Sequence, residues 1–405
     1  MHSTRNNIFI YKITCMEKTQ TDIGIVGAGI LGLAHAYHAA RAGLSVAVFE
    51  RNSEALGATT RNFGMLAVAA QAEGPALDSA MRTLAHWTEI SARADFDLSH
   101  CGCLFMARVR AEMDVLEEFA DSGSVIAARS KRLAAAELEQ YGSGLNFKSS
   151  VGGLWCADAW KVDQRNVARK IALWLQREYA VTIHFNTEVR AVELPFLQTS
   201  TGQFRCDQFI VCGGDEFSTL FPEAFQSCGI TRCELQMLRT YPQPMQWKVQ
   251  PFVLGGLSIA RYDAFAACKS IAALRAYQQQ HCQQYLTHGI HVIASQESDG
   301  SITIGDSHHY GRAHNEPDGG ISQRNASIDE LMLQELNTMI TLPEHRIQQR
   351  WLGHYAYKAD TSVVKLSPVN GTTIVTIVNG QGMTHGFAVA EDVINTLLGS
   401  DTSRI

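Results

Sequence analysis

Three glycines near the amino end stand at a spacing that suits the binding of a pyrophosphate. Gly27, Gly29 and Gly32 form Gly-x-Gly-x-x-Gly directly after the mostly apolar run 22–26. In such a motif the first glycine permits a tight turn, the second lets the backbone approach a pyrophosphate, and the third lets a helix pack closely. Glu50 follows 18 residues after Gly32, near the separation of about 20 at which a carboxylate holds a ribose hydroxyl. The pattern predicts a dinucleotide site.

A strand, a helix and a second strand must position these residues. The sequence predicts a strand before Gly27, a helix over 31–42 that ends at Gly43, and a strand over 44–50 that Glu50 closes. Free N–H groups at the helix N-terminus, together with the helix dipole, would stabilise the negative pyrophosphate. The alternative is a chance glycine-rich turn in another α/β protein, and the combination of strand, helix and acidic residue argues against it.

The composition disfavours several classes of protein. A chain of 405 residues with 46% hydrophobic content suggests two or three globular domains. The net charge of −6 and the lack of a basic run disfavour a nucleic-acid partner, and no apolar stretch reaches the roughly 18–20 residues that span a bilayer. The cysteines and histidines show no framework or metal-ligand spacing, which predicts free thiols, no metal and a cytoplasmic location. Residues 1–20 are expected to form a disordered leader, with Met16 as an alternative start.

Farther along the chain, signals of a nucleotide-binding fold alternate with strand-rich segments. Helices are predicted over 76–93, 111–121, 162–177, 326–340 and 386–398, and strands over 103–108, 181–185, 204–211, 255–262 and 373–378, with a hairpin that pairs 289–295 with 301–305. The pattern predicts an α/β (α+β) fold with two interleaved lobes. The predicted dinucleotide-binding, Rossmann-like lobe comprises 21–75, 155–230 and 345–405, and the predicted antiparallel-sheet substrate lobe comprises 76–154 and 231–344.

Four segments of the chain resemble the D-amino acid oxidase superfamily of flavoproteins, which includes glycine oxidase and sarcosine oxidase. They are the first glycine motif with Glu50, the small-residue loop Gly57–Gly64, the strand end Ile210–Gly214, and the turn Val378–Gly386. The resemblance extends over nearly the whole chain. It implies an FAD cofactor, a substrate lobe above the flavin, and oxidation of a C–N bond.

The resemblance, together with the motifs, assigns a set of residues to the cofactor. These are Gly27, Gly29, Ile30, Leu31, Gly32, Glu50, Arg51, Thr59, Arg61, Asn62, Phe63, Gly64, Met65, Val189, Cys212, Gly213, Gly214, Gly353, Gly380, Gly382, Met383, Thr384 and His385. A helix that starts near Gly382 would direct N–H groups toward the flavin edge that becomes negative on reduction. His385 is either a catalytic group or a neighbour that supports this turn. No counterpart of the covalent-flavin cysteine of some sarcosine oxidases is found, so FAD is expected to be noncovalent.

One departure from the family pattern concerns the substrate anion. Glycine-type oxidases carry Trp-x-Gly-x-Arg-Pro on a late strand, where the arginine grips the substrate carboxylate. Here the matching segment is Trp351–Ala356, and Tyr355 takes the place of the arginine. Segments 61–65, 289–292, 305–308 and 382–384 resemble a bacterial subgroup linked to phosphonate breakdown. That resemblance implies an aminoalkylphosphonate substrate such as 2-aminoethylphosphonate or its N-methyl form.

Candidate substrate-site residues follow from this comparison. Catalytic or orienting roles are assigned to Tyr262, His291, Tyr355 and Lys358, and substrate binding is assigned to Arg61, Arg261, His308 and Tyr355. For each of them the alternative is a surface charge or a satisfied core group.

The rival functions start from the same motifs. The FAD enzyme could oxidise a glycine- or sarcosine-type amino acid, or a 2-hydroxy acid with His291 or His308 as base. The protein could instead be a flavin-binding scaffold, or an enzyme that uses NAD. The electron acceptor, oxygen or another molecule, stays open.

Overall fold

The computed structural model describes residues 20–312 and 324–400, and of Arg312 and Ser400 only the backbone. The expectation of a disordered leader concerns residues that, apart from Gln20, lie outside this range. Among the described residues, no helix combines the length and the apolar character that a membrane span requires.

The described part of the chain alternates strands and helices. In chain order the strands are β1 (Thr21–Val26), β2 (Val46–Phe49), β3 (Met65–Leu66), β4 (Ser99–His100), β5 (Cys103–Ala107), β6 (Ser130–Ala134), β7 (Gly152–Cys156), β8 (Trp160–Lys161), β9 (Thr182–His184), β10 (Val189–Glu193), β11 (Phe196–Thr199), β12 (Gly202–Val211), β13 (Thr231–Thr240), β14 (Phe252–Leu254), β15 (Ile293–Gln296), β16 (Ile302–Gly305), β17 (His309–Arg312), β18 (Ile347–Tyr357), β19 (Val363–Leu366) and β20 (Thr372–Ile377). The helices are α1 (Ile30–Arg41), α2 (Pro75–Ala94), α3 (Arg110–Ala120), α4 (Val167–Tyr179), α5 (Pro222–Cys228), α6 (Gly256–Ile259), α7 (Ile271–His281), α8 (Gln283–Leu286), α9 (Ala326–Met339) and α10 (Gly382–Ser400).

The first of two large sheets has a parallel centre in the order β9-β2-β1-β12-β20. Strand β19 adds antiparallel to β20, and the β10–β11 hairpin extends from the first half of β12. In the register of this sheet Val26 lies beside both Phe49 and Val211. Because these parallel strands end at the same edge, the segments that begin at Gly27, Glu50 and Cys212 meet there. Crevices at this edge are where open α/β sheets bind ligands.

The second sheet has the order β17-β13-β16-β15-β14-β5-β7-β6, with β18 paired to β13. All its pairs are antiparallel except β14 with β5. A small sheet, β3-β8-β4, accompanies the two. The mixed α/β fold predicted from the sequence is confirmed. Strand β18 lies in the second sheet, although 345–405 was expected in the first lobe, and the lobe boundaries stay a prediction.

Helices α1, α2, α4 and α10 pack together, and α1 and α4 pack against the first sheet. Their interior side chains are large and aromatic, including Tyr37, Trp87, Trp174 and Phe387, all fully buried. Trp87 also donates its indole N–H to the Met383 carbonyl oxygen at 2.9 Å. This bond ties α2 to the first turn of α10.

Two predicted elements differ from the structure. The segment 255–262 was expected to be extended, but it contains the helical turn α6 because Ser258 N–H bonds to the Gly255 carbonyl and Gln278 caps the Gly256 carbonyl at 3.0 Å. The helix predicted over 162–177 begins only at Val167, since a polar turn precedes it. The 289–305 hairpin is confirmed as β15 paired with β16. The nine cysteines that the structure describes are free thiols.

Candidate active site

A cavity of about 560 Å³ runs from the edge of the first sheet to the face of the second. Most of the predicted cofactor residues line it, as do six of the seven predicted substrate-site residues, with Arg61 belonging to both sets. From the first group these are Gly27, Gly29, Ile30, Leu31, Glu50, Arg51, Thr59, Arg61, Asn62, Phe63, Met65, Val189, Cys212, Gly213, Gly214, Gly353, Gly380, Gly382, Met383 and Thr384, and from the second Arg261, Tyr262, His291, His308 and Tyr355. Gly32, Gly64, His385 and Lys358 do not line the cavity.

The amino-terminal glycine turn has no room for side chains. Gly27 has φ +92° and its Cβ would lie 2.5 Å from the Cys212 carbonyl oxygen. A Cβ on Gly32 would lie 1.9 Å from the Gly27 carbonyl oxygen, so only glycine lets α1 start so close to the turn. Gly32 therefore supports the turn from below and does not contact the cavity itself. This is the cradle that a pyrophosphate needs.

Glu50 lies beside that turn and accepts a hydrogen bond from it. Its carboxylate is buried and accepts hydrogen bonds from Ala28 N–H at 3.0 Å and from Asn52. Thr59 from the small-residue loop accepts a bond from Ile30 N–H at 2.9 Å, which fixes the loop against the start of α1. Each carboxylate oxygen has two lone pairs, so Glu50 can still accept from a ribose hydroxyl. The residues present fit an adenine dinucleotide.

The carboxy-terminal turn closes the other end of the cofactor region. Gly380 has φ +76°, and a Cβ there would lie 3.1 Å from the Tyr355 ring. Gly382, Met383 and Thr384 form the first turn of α10. Thr384 N–H bonds to the Gln381 carbonyl oxygen at 3.0 Å, while the N–H groups of Gly382 and Met383 have no partner within the helix. Thr384 accepts a bond from Ala67 N–H at 3.0 Å. This geometry fits a group that gains negative charge at its edge.

His385 supports the turn from behind. Its Nε2 lies 3.1 Å from Gln381 Oε1 and 3.2 Å from Gln71 Oε1, and its Nδ1 lies 3.1 Å from Ser79 Oγ. Burial lowers the pKa of His385 to about 4, so the ring is neutral at pH 7. His385 does not line the cavity, and glutamine and serine side chains lie beside both of its ring nitrogens; its assignment to the cofactor stays a prediction.

At the opposite end of the cavity, two predicted substrate residues follow shortly after α6. Arg261 N–H and Tyr262 N–H both bond to the Ser258 carbonyl at 3.2 Å, which ends the helical turn at the cavity. The Arg261 guanidinium is exposed to the cavity and donates to Tyr310 Oη at 2.7 Å. Burial raises the pKa of Tyr262 well above its ordinary value. This end therefore offers a cation and a neutral phenol.

Arg61 and Tyr355 approach the cavity from the loop and from β18. Arg61 Nη1 donates to the Leu352 carbonyl oxygen at 3.2 Å, which joins the small-residue loop to this strand. Tyr355 faces Cys233 across the β13–β18 pair, and burial together with Cys233 and Tyr310 raises its pKa far above the ordinary range. Tyr355 is thus a neutral hydroxyl. An arginine at this position would have been a cation.

Lys358 does not join these residues. It stands one residue beyond β18, and its ammonium pairs with the carboxylate of Asp360. Lys358 is not among the residues that line the cavity, and the catalytic role assigned to it stays a prediction.

The residue that sequence reasoning missed is Asp306. It lies between His291 and His308, with carboxylate oxygens 3.5 Å from His291 Nε2 and 3.7 Å from His308 Nε2. The two rings stack with centroids 4.8 Å apart. Burial raises the pKa of Asp306 to about 7, although the charge of Arg261 opposes this. A lone aspartate gives no spacing signal, but its position directly after the predicted strand 301–305, opposite His291, could have indicated it.

Comparison with known proteins identifies the family. The family model for FAD dependent oxidoreductase (DAO) matches residues 22–396. The chain belongs to the DAO family of FAD-dependent oxidoreductases. FAD is thus its cofactor, and it is an enzyme. A search of curated proteins found no match.

Solved structures with the same fold support the architecture of this oxidoreductase. Glycine oxidase from Bacillus cereus ATCC 14579 superposes with a TM-score of 0.72 at 15% identity, covering 94% of this chain and 95% of the other. FAD-bound L-α-glycerophosphate oxidase from Mycoplasma pneumoniae gives 0.70 at 17% identity, covering 94% and 95%. Iminodiacetate oxidase from Chelativorans sp. BNC1 gives 0.63 at 17% identity, covering 93% and 95%. At these identities the likeness shows the fold.

Proposed function

We propose that this FAD-dependent oxidoreductase oxidises the C–N bond of a small amine that carries an anionic group. The observation that carries the proposal is the single cavity, which joins both glycine turns to a polar end with the cation Arg261. An FAD that spans the turns would place its ring near this end. Structures named glycine oxidase and iminodiacetate oxidase share the fold, which is compatible with an amine substrate.

The FAD supplies a two-electron acceptor for the hydride of the substrate carbon. The chain itself contributes binding and orientation: Gly27, Gly29 and Glu50 would hold the adenine dinucleotide, and the first turn of α10 would face the ring. Tyr262 and Tyr355, both neutral phenols, would orient the substrate by hydrogen bonds. The imine product then hydrolyses to an aldehyde or keto acid and an amine. This hydrolysis requires little from the protein beyond positioning.

The finer proposal is an aminoalkylphosphonate, such as 2-aminoethylphosphonate or its N-methyl form. It is supported by Tyr355 standing where the carboxylate-binding arginine would be, with cationic side chains offered by Arg61 and Arg261 instead. A phosphonate has three acceptor oxygens and more negative charge than a carboxylate, so it suits several separate donors. His308, next to Tyr355 with ring centroids 6.3 Å apart, would complete this polar end.

The alternative substrates are a glycine- or sarcosine-type amino acid and a 2-hydroxy acid. The hydroxy acid is favoured by one observation, the buried group of His291, Asp306 and His308, because oxidation of a C–O bond requires a base for the hydroxyl proton. Noncovalent FAD, a cytoplasmic location, the lobe boundaries and oxygen or another molecule as electron acceptor are parts of the same proposal.

The test is anaerobic bleaching of the FAD absorbance of the purified holoenzyme. The panel comprises 2-aminoethylphosphonate, N-methyl-2-aminoethylphosphonate, glycine, sarcosine, lactate and glycerol 3-phosphate. We expect the phosphonates to bleach the flavin fastest. Bleaching by glycine or sarcosine but by no phosphonate would contradict the finer proposal. Bleaching by the hydroxy compounds alone would contradict amine oxidation.

A further inference from the structure

One carboxylate oxygen of Asp306 has no hydrogen-bond donor among the described residues. The residue is 7% exposed and lines the cavity, and its Oδ1 accepts no hydrogen bond from any residue that the structure describes. A buried polar atom left unpaired costs about 1–3 kcal/mol, and more if it is charged. Such a cost is tolerated where a ligand supplies the missing partner. The chemistry that fits a carboxylate oxygen is an N–H or O–H donor on the substrate.

The two histidines beside Asp306 do not complete the hydrogen bonding of its carboxylate. His308 Nδ1 lies 3.1 Å from the Gly289 carbonyl oxygen and therefore carries the hydrogen, which leaves the Nε2 lone pair facing Asp306. His291 Nδ1 lies 3.4 Å from Ser258 Oγ. Burial and the charge of Arg261 hold the pKa of both imidazoles well below the ordinary value. Both rings are neutral, and at 3.5 and 3.7 Å neither makes a normal hydrogen bond to the Asp306 carboxylate.

The charged and titratable groups that surround this carboxylate come from several elements. Across the cavity and from β13 they are Arg261, Tyr262 and Cys233, in addition to the two histidines. Of these, only Arg261 carries a positive charge, and its hydrogen bond goes to Tyr310. A substrate ammonium beside Asp306 would be the second cation of this end, while Arg261 stays available for the substrate anion.

We propose that Asp306 is the base that removes the proton from the bound substrate ammonium. The inference rests on the proposed amine oxidation and names the residue that makes the amine reactive. In the step, one N–H bond breaks and one O–H bond forms on the Asp306 carboxylate, and the electron pair stays on nitrogen. Nothing is oxidised or reduced in this step. The freed pair would assist loss of a hydride, with its two electrons, from the adjacent carbon, for which the FAD would be the acceptor.

The properties of the site suit this role. Transfer of the proton turns a buried ion pair into two neutral groups, which removes the cost of holding two desolvated charges. A general base is most effective when its pKa lies near the working pH, and burial raises the pKa of Asp306 to about 7. His291 and His308 act as positioning residues.

The experiment compares Asp306→Asn with the wild-type holoenzyme between pH 6 and 10. Anaerobic stopped-flow measures the rate constant of FAD reduction by N-methyl-2-aminoethylphosphonate and by sarcosine. A positioned base contributes roughly 100- to 10,000-fold, so we expect Asp306→Asn to be at least about 100-fold slower at pH 7. The difference shrinks toward pH 10, where the amine loses its proton in solution. Asp114→Asn, an exposed carboxylate on α3, is the matched control and keeps the wild-type rate.

A second measurement does not depend on turnover. The visible spectrum of the substrate-free holoenzyme is titrated with pH, and an inflection near pH 7 is expected in wild type and Asp114→Asn but not in Asp306→Asn. Asp306→Glu, which keeps a carboxylate, is expected to restore the pH dependence at a reduced rate. A wild-type pH profile and rate in Asp306→Asn would overturn the role of Asp306 alone. Failure of every amine to reduce the wild-type enzyme would instead overturn amine oxidation.

Discussion

Substitution of Gly32 by alanine tests the glycine cradle most directly. The new Cβ would lie 1.9 Å from the Gly27 carbonyl oxygen, whereas ordinary contacts begin at 3.4 Å. The atoms must therefore separate by 1.5 Å, the difference of these two distances. Both atoms belong to rigid parts, the first turn of α1 and the glycine turn. The turn that binds the pyrophosphate has to move.

The size of the effect follows from the contacts that move. Overpacking lowers the stability of the folded protein by about 1–3 kcal/mol. The better helix propensity of alanine offsets up to about 1 kcal/mol of this loss. Each lost hydrogen bond to a charged pyrophosphate costs a further 1.5–3 kcal/mol or so. With about 1.4 kcal/mol per factor of ten, we expect FAD to bind roughly 10- to 150-fold more weakly to Gly32→Ala.

The assay is the dissociation constant of FAD, measured by fluorescence as the apoprotein is reconstituted. Gly386→Ala is the matched control, because it is also a helical glycine and its Cβ would meet no atom within 4 Å beyond its own helix. That variant should bind FAD as wild type does, with equal or higher stability. If Gly32→Ala bound FAD within threefold of wild type, the reasoning from the close approach of α1 would be wrong.

Three further predictions concern the substrate end. Arg261→Met should lower kcat/KM for an anionic amine about 10- to 150-fold, because a charged hydrogen bond of roughly 1.5–3 kcal/mol is lost. Arg275→Met on α7 is the control and should change kcat/KM little. If steady-state assays gave Arg261→Met the same kcat/KM as wild type, Arg261 would not belong to the anion site. The Asp306 pKa is raised from its ordinary value to about 7, so its contribution to stability is complete below about pH 4 and is lost as the pH rises through 7. Between pH 5 and 8 the free energy of unfolding of the apoprotein should therefore fall by about 2–3 kcal/mol more in wild type than in Asp306→Asn. Urea denaturation at each pH measures it. If the free energy of unfolding changed with pH equally in the two proteins, the raised pKa would be refuted. Lys358→Ala should leave the rate of FAD reduction within about threefold of wild type, since its ammonium pairs with Asp360 outside the cavity, and a 100-fold loss would return Lys358 to the site.

Spacing along the chain was enough to predict the cofactor region. The turn at Gly27–Gly32 and the strand end at Glu50 are set by neighbouring residues, because a tight turn and a close helix leave room for glycine alone. The parallel order of β2, β1 and β12 then brings Glu50 and Cys212 to the same edge, as the motif implies. The roles of the individual cofactor residues remain predictions until FAD binding is measured.

The substrate end depended on contacts between distant parts of the chain. The segment 255–262 has the apolar character of a strand, but Gln278 and the glycine pair turn it into α6, and that turn brings Arg261 to the cavity. A Cβ on Gly256 would lie 1.8 Å from a carboxylate oxygen of Glu112, so any larger residue would require that buried side chain to move. No local pattern encodes such a contact.

The sequence by itself determined the dinucleotide turn, the α/β class and the absence of an arginine at position 355, because each depends on residues close together in the chain. Only the tertiary structure decided that Asp306 lies between His291 and His308, and that Lys358 pairs with Asp360 away from them. The physical reason is that ionisation and pairing depend on burial and on neighbours through space. In this enzyme, those neighbours come from strands and turns far apart in sequence.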